Sequence, residues 1–173
     1  MTIDCGICTL RPWQSGDARS LRANADDPAV AKNLRDRFPS PYTERDAQLW
    51  IAQAQGMFPA QHLAIDVAGA AIGGIGCDPG FDHTERSAEV GYWLGTAHHG
   101  RGIATAALRG LAPYLFDEFD FARLFATVYS RNLASQRVLE KCGWTREALL
   151  RDAETKRGKL VDLVLFSLLA RDR

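Results

Sequence analysis

The chain has 173 residues, which suits one domain with a full hydrophobic core. Its 21 Lys and Arg residues balance its 21 Asp and Glu residues, so electrostatically driven binding to nucleic acid is not expected. No apolar run approaches the roughly 20 residues of a membrane span. The first residues, MTIDCGICTLRPW, lack the basic region and long apolar run of a secretory signal. We therefore expect a cytoplasmic location and no membrane partner.

Helices and one strand are predicted in the first third of the chain. The predicted segments are a strand at 6–11, helices at 16–25 and 29–34, and a further helix that begins after Thr43. Thr43 and Asp46 have the spacing of a capping box, and apolar residues recur behind them at helical spacing. The segment between the helices, FPSPY at 38–42, contains two prolines and is predicted to be non-helical.

The rest of the chain predicts a mixed sheet with helices on its faces. The predicted strands are 62–67, 70–77, 87–94, 122–130, 144–150 and 160–168, and the predicted helices are 102–116 and 132–141. A turn near Ala68 and Gly69 joins the first two of these strands, and Gly143 ends the last helix. This order predicts an α/β (α+β) fold in a single domain over residues 1–173.

Four cysteines raise the question of a metal site or a disulfide. Cys5 and Cys8 form a lone CxxC motif, but Cys77 and Cys142 supply no second pair, which zinc normally requires. Because the segment around Cys5 to Arg11 also reads as a strand, residues three apart are expected to point to opposite faces. We therefore expect free thiols, no disulfide and no metal ion.

The most informative segment is AEVGYWLGTAHHGRGIAT at 88–105. A predicted strand leads into a loop with Gly100 and Gly102, and a predicted helix follows directly. Glycine lets backbone N–H groups converge, and the helix start adds unpaired donors and the positive end of its dipole. This pattern favours binding of a diphosphate, as in a nucleotide-bearing cofactor. A Rossmann fingerprint is disfavoured because Thr105 stands where its third glycine belongs.

Residues 99–104, HGRGIA, resemble the Gln/Arg-x-x-Gly-x-Gly/Ala phosphate loop of the Gcn5-related N-acetyltransferases. The chain is most similar to the RimJ/RimL branch, whose known members acetylate the N-termini of ribosomal proteins. The matching segments follow the same order along the chain: 9–18, 38–50, 88–94, 130–144 and 162–169. The resemblance implies the acyl-CoA N-acyltransferase fold, a mixed and mostly antiparallel sheet of about seven strands, splayed at the fourth strand and flanked by helices.

Two residues depart from the family pattern. His99 replaces the usual Gln or Arg of the loop, which matters little if the loop binds through backbone N–H groups. Leu139 occupies the position at which the broader family often has a tyrosine general acid, so tyrosine acid catalysis from that position is excluded.

The resemblance also implies roles for individual residues, with acetyl-CoA as the cofactor. Glu89 would be the general base, and Ser135 would stabilise the departing thiolate. The alternatives are a surface charge for Glu89, a small packing residue for Ser135 and a plain helix cap for Asn132. The residues expected to bind the cofactor are Trp93, Leu94, His99, Gly100, Arg101, Gly102, Ile103, Ala104, Thr105, Asn132 and Ser135.

The acceptor implied by the branch is a protein or peptide N-terminal amine. Three alternatives remain open: a small-molecule amine such as a polyamine, aminoglycoside or amino-acid-like toxin; a non-catalytic acyl-CoA-binding sensor; and a Rossmann or phosphate-transfer enzyme, which would bind NAD or ATP. The sequence does not fix the oligomeric state, so a homodimer also stays open.

Overall fold

The computed structural model describes residues 1–172, which fold into helices and strands in the predicted order. The helices are α1 (Ala18–Ala25), α2 (Pro28–Ala31), α3 (Glu44–Gln55), α4 (Ile103–Phe119) and α5 (Leu133–Lys141). The strands are β1 (Ile3–Asp4), β2 (Thr9–Pro12), β3 (His62–Val67), β4 (Ala70–Pro79), β5 (Ser87–Leu94), β6 (Arg123–Tyr129), β7 (Thr145–Lys156) and β8 (Lys159–Leu169). Among residues 1–172, no helix is long and apolar enough to cross a membrane.

The strands form a mixed, mostly antiparallel sheet in the order β1-β2-β3-β4-β5-β6-β8-β7. The expected α/β fold is confirmed, with eight strands in place of about seven. The chain divides into two compact units. The first unit contains residues 1–76 and 92–111, and the second contains residues 77–91 and the chain from 112 onward.

The core of the first unit lies where helices α1 and α3 pack with strands β3 and β4. Its buried members are Trp13, Ala18, Leu21, Ala25, Tyr42, Ala47, Ile51, Ala54, Ala64 and Ala71. The predicted capping box starts α3: the Asp46 N–H donates to Thr43 Oγ1 at 3.2 Å, and the Thr43 N–H donates to the Asp46 carboxylate at 2.8 Å. The turn at Ala68 and Gly69 is also confirmed, with φ of 53° and 83°.

The prediction of one strand over residues 6–11 is wrong at its start. Residues 5–8 form a turn that joins β1 to β2, with Gly6 at a φ of 77°. The expectation that Cys5 and Cys8 point to opposite faces is wrong for the same reason, because the chain reverses between them. Cys8 is buried and Cys5 is half-buried, and both are free thiols.

A buried ion network joins the first helix region to the sheet. Two Arg11 nitrogens donate to the two Asp17 oxygens at 2.7 and 2.9 Å, and Arg11 Nε donates to Asp66 Oδ2 at 2.8 Å. The Asp17 and Asp66 side chains are only 8% and 11% exposed. Burial alone would raise the pKa of Asp17, but hydrogen bonds from Arg11 and from the Gln14 N–H outweigh it and lower that pKa.

The second unit contains the parallel pair of strands, β5 and β6. Their ladder covers Ser87–Arg123, Ala88–Leu124 and Glu89–Phe125, although β6 continues to Tyr129. Within this unit, β5 therefore parts from β6 after Glu89. The strand that we expected to be splayed is the fourth predicted strand, at 87–94. It is β5 in the structure because the short strand β1 was not predicted.

Strands β7 and β8 form a longer hairpin than predicted. The expected loop after residue 150 is wrong, because β7 continues to Lys156 and turns into β8 at Arg157 and Gly158. The register shifts between Leu150 and Glu154. This irregularity hides the two-residue alternation by which a strand is recognised in sequence.

We predict that Arg11→Leu lowers the free energy of unfolding by about 3–5 kcal/mol at pH 7, because it leaves Asp17 and Asp66 buried without their cation. The stability that Asp17 contributes is present above its ordinary pKa of 3.8 and is lost as the pH falls through its lowered value. The difference in the free energy of unfolding between the variant and the native protein should therefore shrink as the pH falls below 3.8 towards the lowered pKa of Asp17.

Urea unfolding followed by tryptophan fluorescence measures this loss. Arg11→Lys is the matched control, since it keeps the charge but not the two-pronged geometry, and should lose less. A loss under about 1 kcal/mol for Arg11→Leu at pH 7 would show that the network contributes no more than an exposed ion pair.

Candidate active site

The loop before α4 has the backbone conformation that anion binding requires. Gly100 and Gly102 have φ of 74° and 77°, a region that residues with a side chain rarely adopt. A Cβ placed on Gly100 would have no described atom within 4 Å. The loop backbone is therefore open on this side. Residues 99–105 are called the phosphate loop below.

The helix start supplies donors to the same loop. The Ala106 N–H donates to the Gly102 carbonyl at 3.0 Å as the first hydrogen bond of α4. The N–H groups of Ile103 and Ala104 come earlier, so the helix contains no carbonyl for them to reach. The Ile103 side chain is buried and fixes the start of the helix, while Arg101 is exposed. These donors and the positive end of the helix dipole can hold an anion.

Two side-chain hydrogen bonds hold the approach to the phosphate loop in place. The Thr96 hydroxyl donates to Asp27 Oδ2 at 2.7 Å, and Asp27 also accepts the Ala29 N–H at the start of α2. These two hydrogen bonds, the one from Thr96 first, lower the pKa of Asp27. His99 Nε2 lies 3.0 Å from the Leu94 carbonyl, which requires a proton on Nε2. The His99 side chain thus closes the loop onto the end of β5.

Gly95, which directly follows β5, allows the Asn24 side chain to approach the backbone closely. A Cβ there would overlap the Asn24 side chain, and the Asn24 amide is held by the Ser20 carbonyl at 3.0 Å. Sequence reasoning missed Asn24, Asp27 and Gly95. Asp27 before Pro28 does carry the local signal of a helix cap, but nothing local connects it to Thr96, 69 residues later.

Two glycines of β4 allow Trp93 to pack closely against that strand. A Cβ on Gly73 would overlap the Trp93 carbonyl oxygen, and a Cβ on Gly74 would lie 2.9 Å from the Trp93 indole nitrogen. Phe38 contacts the Trp93 ring edge-on, with centroids 5.7 Å apart, and Tyr42 contacts Phe38 at 5.0 Å. The FPSPY segment therefore forms an aromatic wall beside the end of β5.

In the second unit, Glu89 is held by its neighbouring strand. The Thr127 hydroxyl on β6 donates to Glu89 Oε1 at 2.6 Å. Thr127 lies two residues beyond Phe125, the residue of β6 that pairs with Glu89. Glu89 is half-buried and Val90 is buried, because successive side chains of a strand point to opposite faces of the sheet. A half-buried carboxylate of fixed orientation can accept a proton from a bound group.

Asn132 and Ser135 lie together at the start of α5. The Asn132 side chain accepts the Ser135 N–H at 3.3 Å, so Asn132 is the helix cap that one reading of the sequence proposed. The Gln136 amide donates to the Ser130 carbonyl at 2.8 Å and fixes the turn before the helix. Ser135 is half-buried, and its hydroxyl can donate a hydrogen bond to a ligand.

The structure thus groups the predicted site residues into two sets. The set in the first unit is Trp93, Leu94, His99, Gly100, Arg101, Gly102, Ile103, Ala104 and Thr105, and it can bind an anion. The set in the second unit is Glu89, Asn132 and Ser135, and it can accept a proton and donate hydrogen bonds.

We predict that Gly73→Ala lowers the free energy of unfolding by about 1–3 kcal/mol, because its Cβ would force the Trp93 backbone away. Gly91→Ala is the matched control on the same sheet, since its Cβ would meet no described atom within 4 Å and should change stability by less than about 0.5 kcal/mol. Urea unfolding measures both. Equal losses in the two variants would refute the close approach at Trp93.

Known proteins that resemble this chain include acetyltransferases. The family described as "Acetyltransferase (GNAT) domain" matches residues 8–145. The uncharacterized N-acetyltransferase p20 of Bacillus licheniformis is 32% identical over 170 residues, which cover 95% of this chain and 93% of that protein.

Two further proteins resemble the chain. The ribosomal-protein-serine acetyltransferase of Escherichia coli (strain K12) is 29% identical over 82 residues, covering 47% of this chain and 46% of that protein. The structure of Mycobacterium smegmatis RimJ in complex with CoA-disulfide has the same fold, with a TM-score of 0.88 and 24% identity over 99% of this chain and 88% of that one.

Proposed function

Because the chain belongs to the acetyltransferase (GNAT) family, we propose that it transfers the acetyl group of acetyl-CoA directly to the N-terminal amine of a protein or peptide. The chain is an N-acetyltransferase, and acetyl-CoA is its acetyl donor. The observation that carries the proposal is the phosphate loop, with two left-handed glycines at the start of α4.

The residues of the phosphate loop fit the diphosphate of coenzyme A. The backbone N–H groups of residues 100–104 would bind the phosphate oxygens, and the open side of Gly100 leaves room for them. His99 acts mainly by closing the loop onto Leu94, which explains how it replaces the Gln or Arg of the family pattern. The backbone of Trp93 and Leu94 would hold the pantetheine arm of the coenzyme, and Asn132 would contribute a further hydrogen bond to it.

Glu89 is the general base in this proposal. An N-terminal amine has a pKa near ~8 and must lose a proton before it can attack a carbonyl. The Thr127 hydroxyl holds the Glu89 carboxylate in one orientation, so it can take this proton directly or through water. Bound acetyl-CoA supplies an activated thioester carbonyl. The Ser135 hydroxyl would donate a hydrogen bond to the sulfur of the coenzyme and so stabilise the departing thiolate.

Two observations support a protein N-terminus as the acceptor. One relative described above is named for acetylation of a ribosomal protein. The half-buried rings of Phe38 and Trp93, which the buried Tyr42 supports from behind, supply apolar contacts that an extended peptide can use. We also infer that residues 1–173 act as one catalytic domain, since the family match over 8–145 includes parts of both units.

We predict that Gly102→Asp abolishes measurable binding of coenzyme A, because it places an anion where the diphosphate belongs. Two charges about 4 Å apart near a protein surface interact by about 4 kcal/mol, or on the order of 1000-fold in affinity. Isothermal titration calorimetry measures the affinity.

Gly102→Asn is the matched control for that substitution, because Asn has nearly the same shape and tolerates a positive φ. It should bind coenzyme A within about tenfold of the native protein. Unchanged affinity in Gly102→Asp would overturn the assignment of the phosphate loop.

We predict that Glu89→Gln lowers kcat by at least about 100-fold and leaves the affinity for coenzyme A unchanged. Thiol release from acetyl-CoA measures turnover, and Glu85→Gln, an exposed residue of the preceding turn, is the control. A Glu89→Gln protein with normal turnover would remove Glu89 from the mechanism.

The acceptor is tested with the native protein and the same assay. Peptides with free N-termini should be acetylated, whereas the same peptides with blocked N-termini should not. Faster turnover with polyamines or aminoglycosides than with any peptide would reassign the acceptor to a small molecule. Binding of coenzyme A without turnover on any amine would indicate a sensor.

A further inference from the structure

The CxxC motif has no part in the proposed acetyl transfer, yet the fold places its two thiols face to face. Strands β1 and β2 pair with Ile3 opposite Leu10 and Asp4 opposite Thr9. Continuing this register places Cys5 opposite Cys8, with Gly6 and Ile7 as the two residues of the turn. Side chains directly opposite on an antiparallel pair lie on the same face of the sheet.

Backbone geometry at this pair matches that of a disulfide. The Cys5 N–H donates to the Cys8 carbonyl at 2.9 Å, which joins the two residues across the turn. The Cα atoms of directly opposite residues on antiparallel strands are about 4.5–5.5 Å apart, within the range of about 4.4–6.8 Å found across disulfides. Both thiols donate to backbone carbonyls, Cys5 to Ile3 at 3.8 Å and Cys8 to Ile103 at 4.0 Å.

The two cysteines differ in a way that gives each a role. Cys5 is half-buried, while Cys8 is 5% exposed. Burial, together with the neighbouring Cys5, raises the pKa of Cys8 to about 12. Burial also raises the pKa of Cys5, but the hydrogen bond with Cys8 opposes that rise. Cys5 is therefore the more accessible and more easily ionised thiol, and Cys8 is placed to react with it second.

We propose that Cys5 and Cys8 are a reversible dithiol–disulfide pair that exchanges with low-molecular-weight disulfides such as glutathione disulfide. The Cys5 thiolate attacks one sulfur of glutathione disulfide and releases one glutathione thiolate. The Cys8 thiolate then attacks the Cys5 sulfur of the mixed disulfide and releases the second. The protein loses two electrons and two protons, and glutathione disulfide takes them up to become two glutathione molecules.

The pair packs against the first half of α4, so a change in the state of the thiols alters their contacts with that helix. The Cys8 thiol contacts the Ile103 carbonyl at 4.0 Å, and a Cβ on Gly110 would overlap the Cys5 sulfur. Gly110 thus provides the space that the Cys5 side chain occupies. Both contacts lie within the first unit.

The test is equilibration of the folded protein with glutathione and glutathione disulfide at several ratios, followed by acid quenching and tryptic digestion. The first tryptic peptide is residues 1–19, MTIDCGICTLRPWQSGDAR, because trypsin does not cleave between Arg11 and Pro12, and it contains both cysteines. We expect it to lose the mass of two hydrogen atoms without gaining glutathione, and the protein to keep two of its four thiols. Cys142→Ser is the matched control and should give the same peptide.

Cys5→Ser and Cys8→Ser should each prevent the mass loss, and the pair guards against one variant failing to fold. The folded protein should also form the disulfide with an equilibrium constant at least about tenfold larger than the protein unfolded in urea, because the fold holds the thiols together. A peptide that stays reduced, or that carries glutathione on Cys5 as its stable product, would overturn the proposal. Equal constants for the folded and unfolded protein would overturn it as well.

Discussion

The turn between β5 and α4 is fixed by side-chain hydrogen bonds as well as by its own amides, such as the His98 N–H that donates to the Gly95 carbonyl at 3.0 Å. Thr96 is bound by the Asp27 carboxylate, and His99 is bound to the Leu94 carbonyl. Gly95 fits against Asn24, and Gly73 admits the backbone of Trp93. Side chains from other parts of the first unit therefore help to hold the turn in one conformation. A loop of fixed conformation at a helix start is what tight binding of a phosphorylated ligand requires.

In the second unit, the carboxylate of Glu89 is held in one orientation while it stays partly exposed. Glu89 is the last residue of β5 that pairs with β6, and it receives its hydrogen bond from the β6 side chain of Thr127. The ladder between β5 and β6 runs from Ser87 to Glu89 and fixes the position of Glu89. Beyond Glu89 the two strands part. The start of α5 is fixed in a comparable way, by Asn132 on the Ser135 N–H and by Gln136 on the Ser130 carbonyl.

The features that the sequence predicts well are those encoded within a few residues. The capping box of Thr43 and Asp46, the turn at Ala68 and Gly69, and the Asn132 cap each depend on neighbours in the chain. The network of Arg11 with Asp66 and the bond of Asp27 with Thr96 depend on residues 55 and 69 positions apart, which no local pattern links. The reversal at Gly6 was missed because alternation alone cannot distinguish a short hairpin from one strand. The phosphate loop was located by its glycines, but its supporting side chains were not.

The break in register within β7 has a consequence for association between chains. β7 is the last strand in the sheet order, and an edge strand of twelve residues offers a long row of backbone groups to other chains. The irregularity between Leu150 and Glu154 interrupts that row, and exposed charged residues such as Arg151 and Asp152 lie within it. An added strand could pair over only a short stretch before losing register. The same defect that made β7 hard to recognise therefore protects the protein from edge-to-edge aggregation.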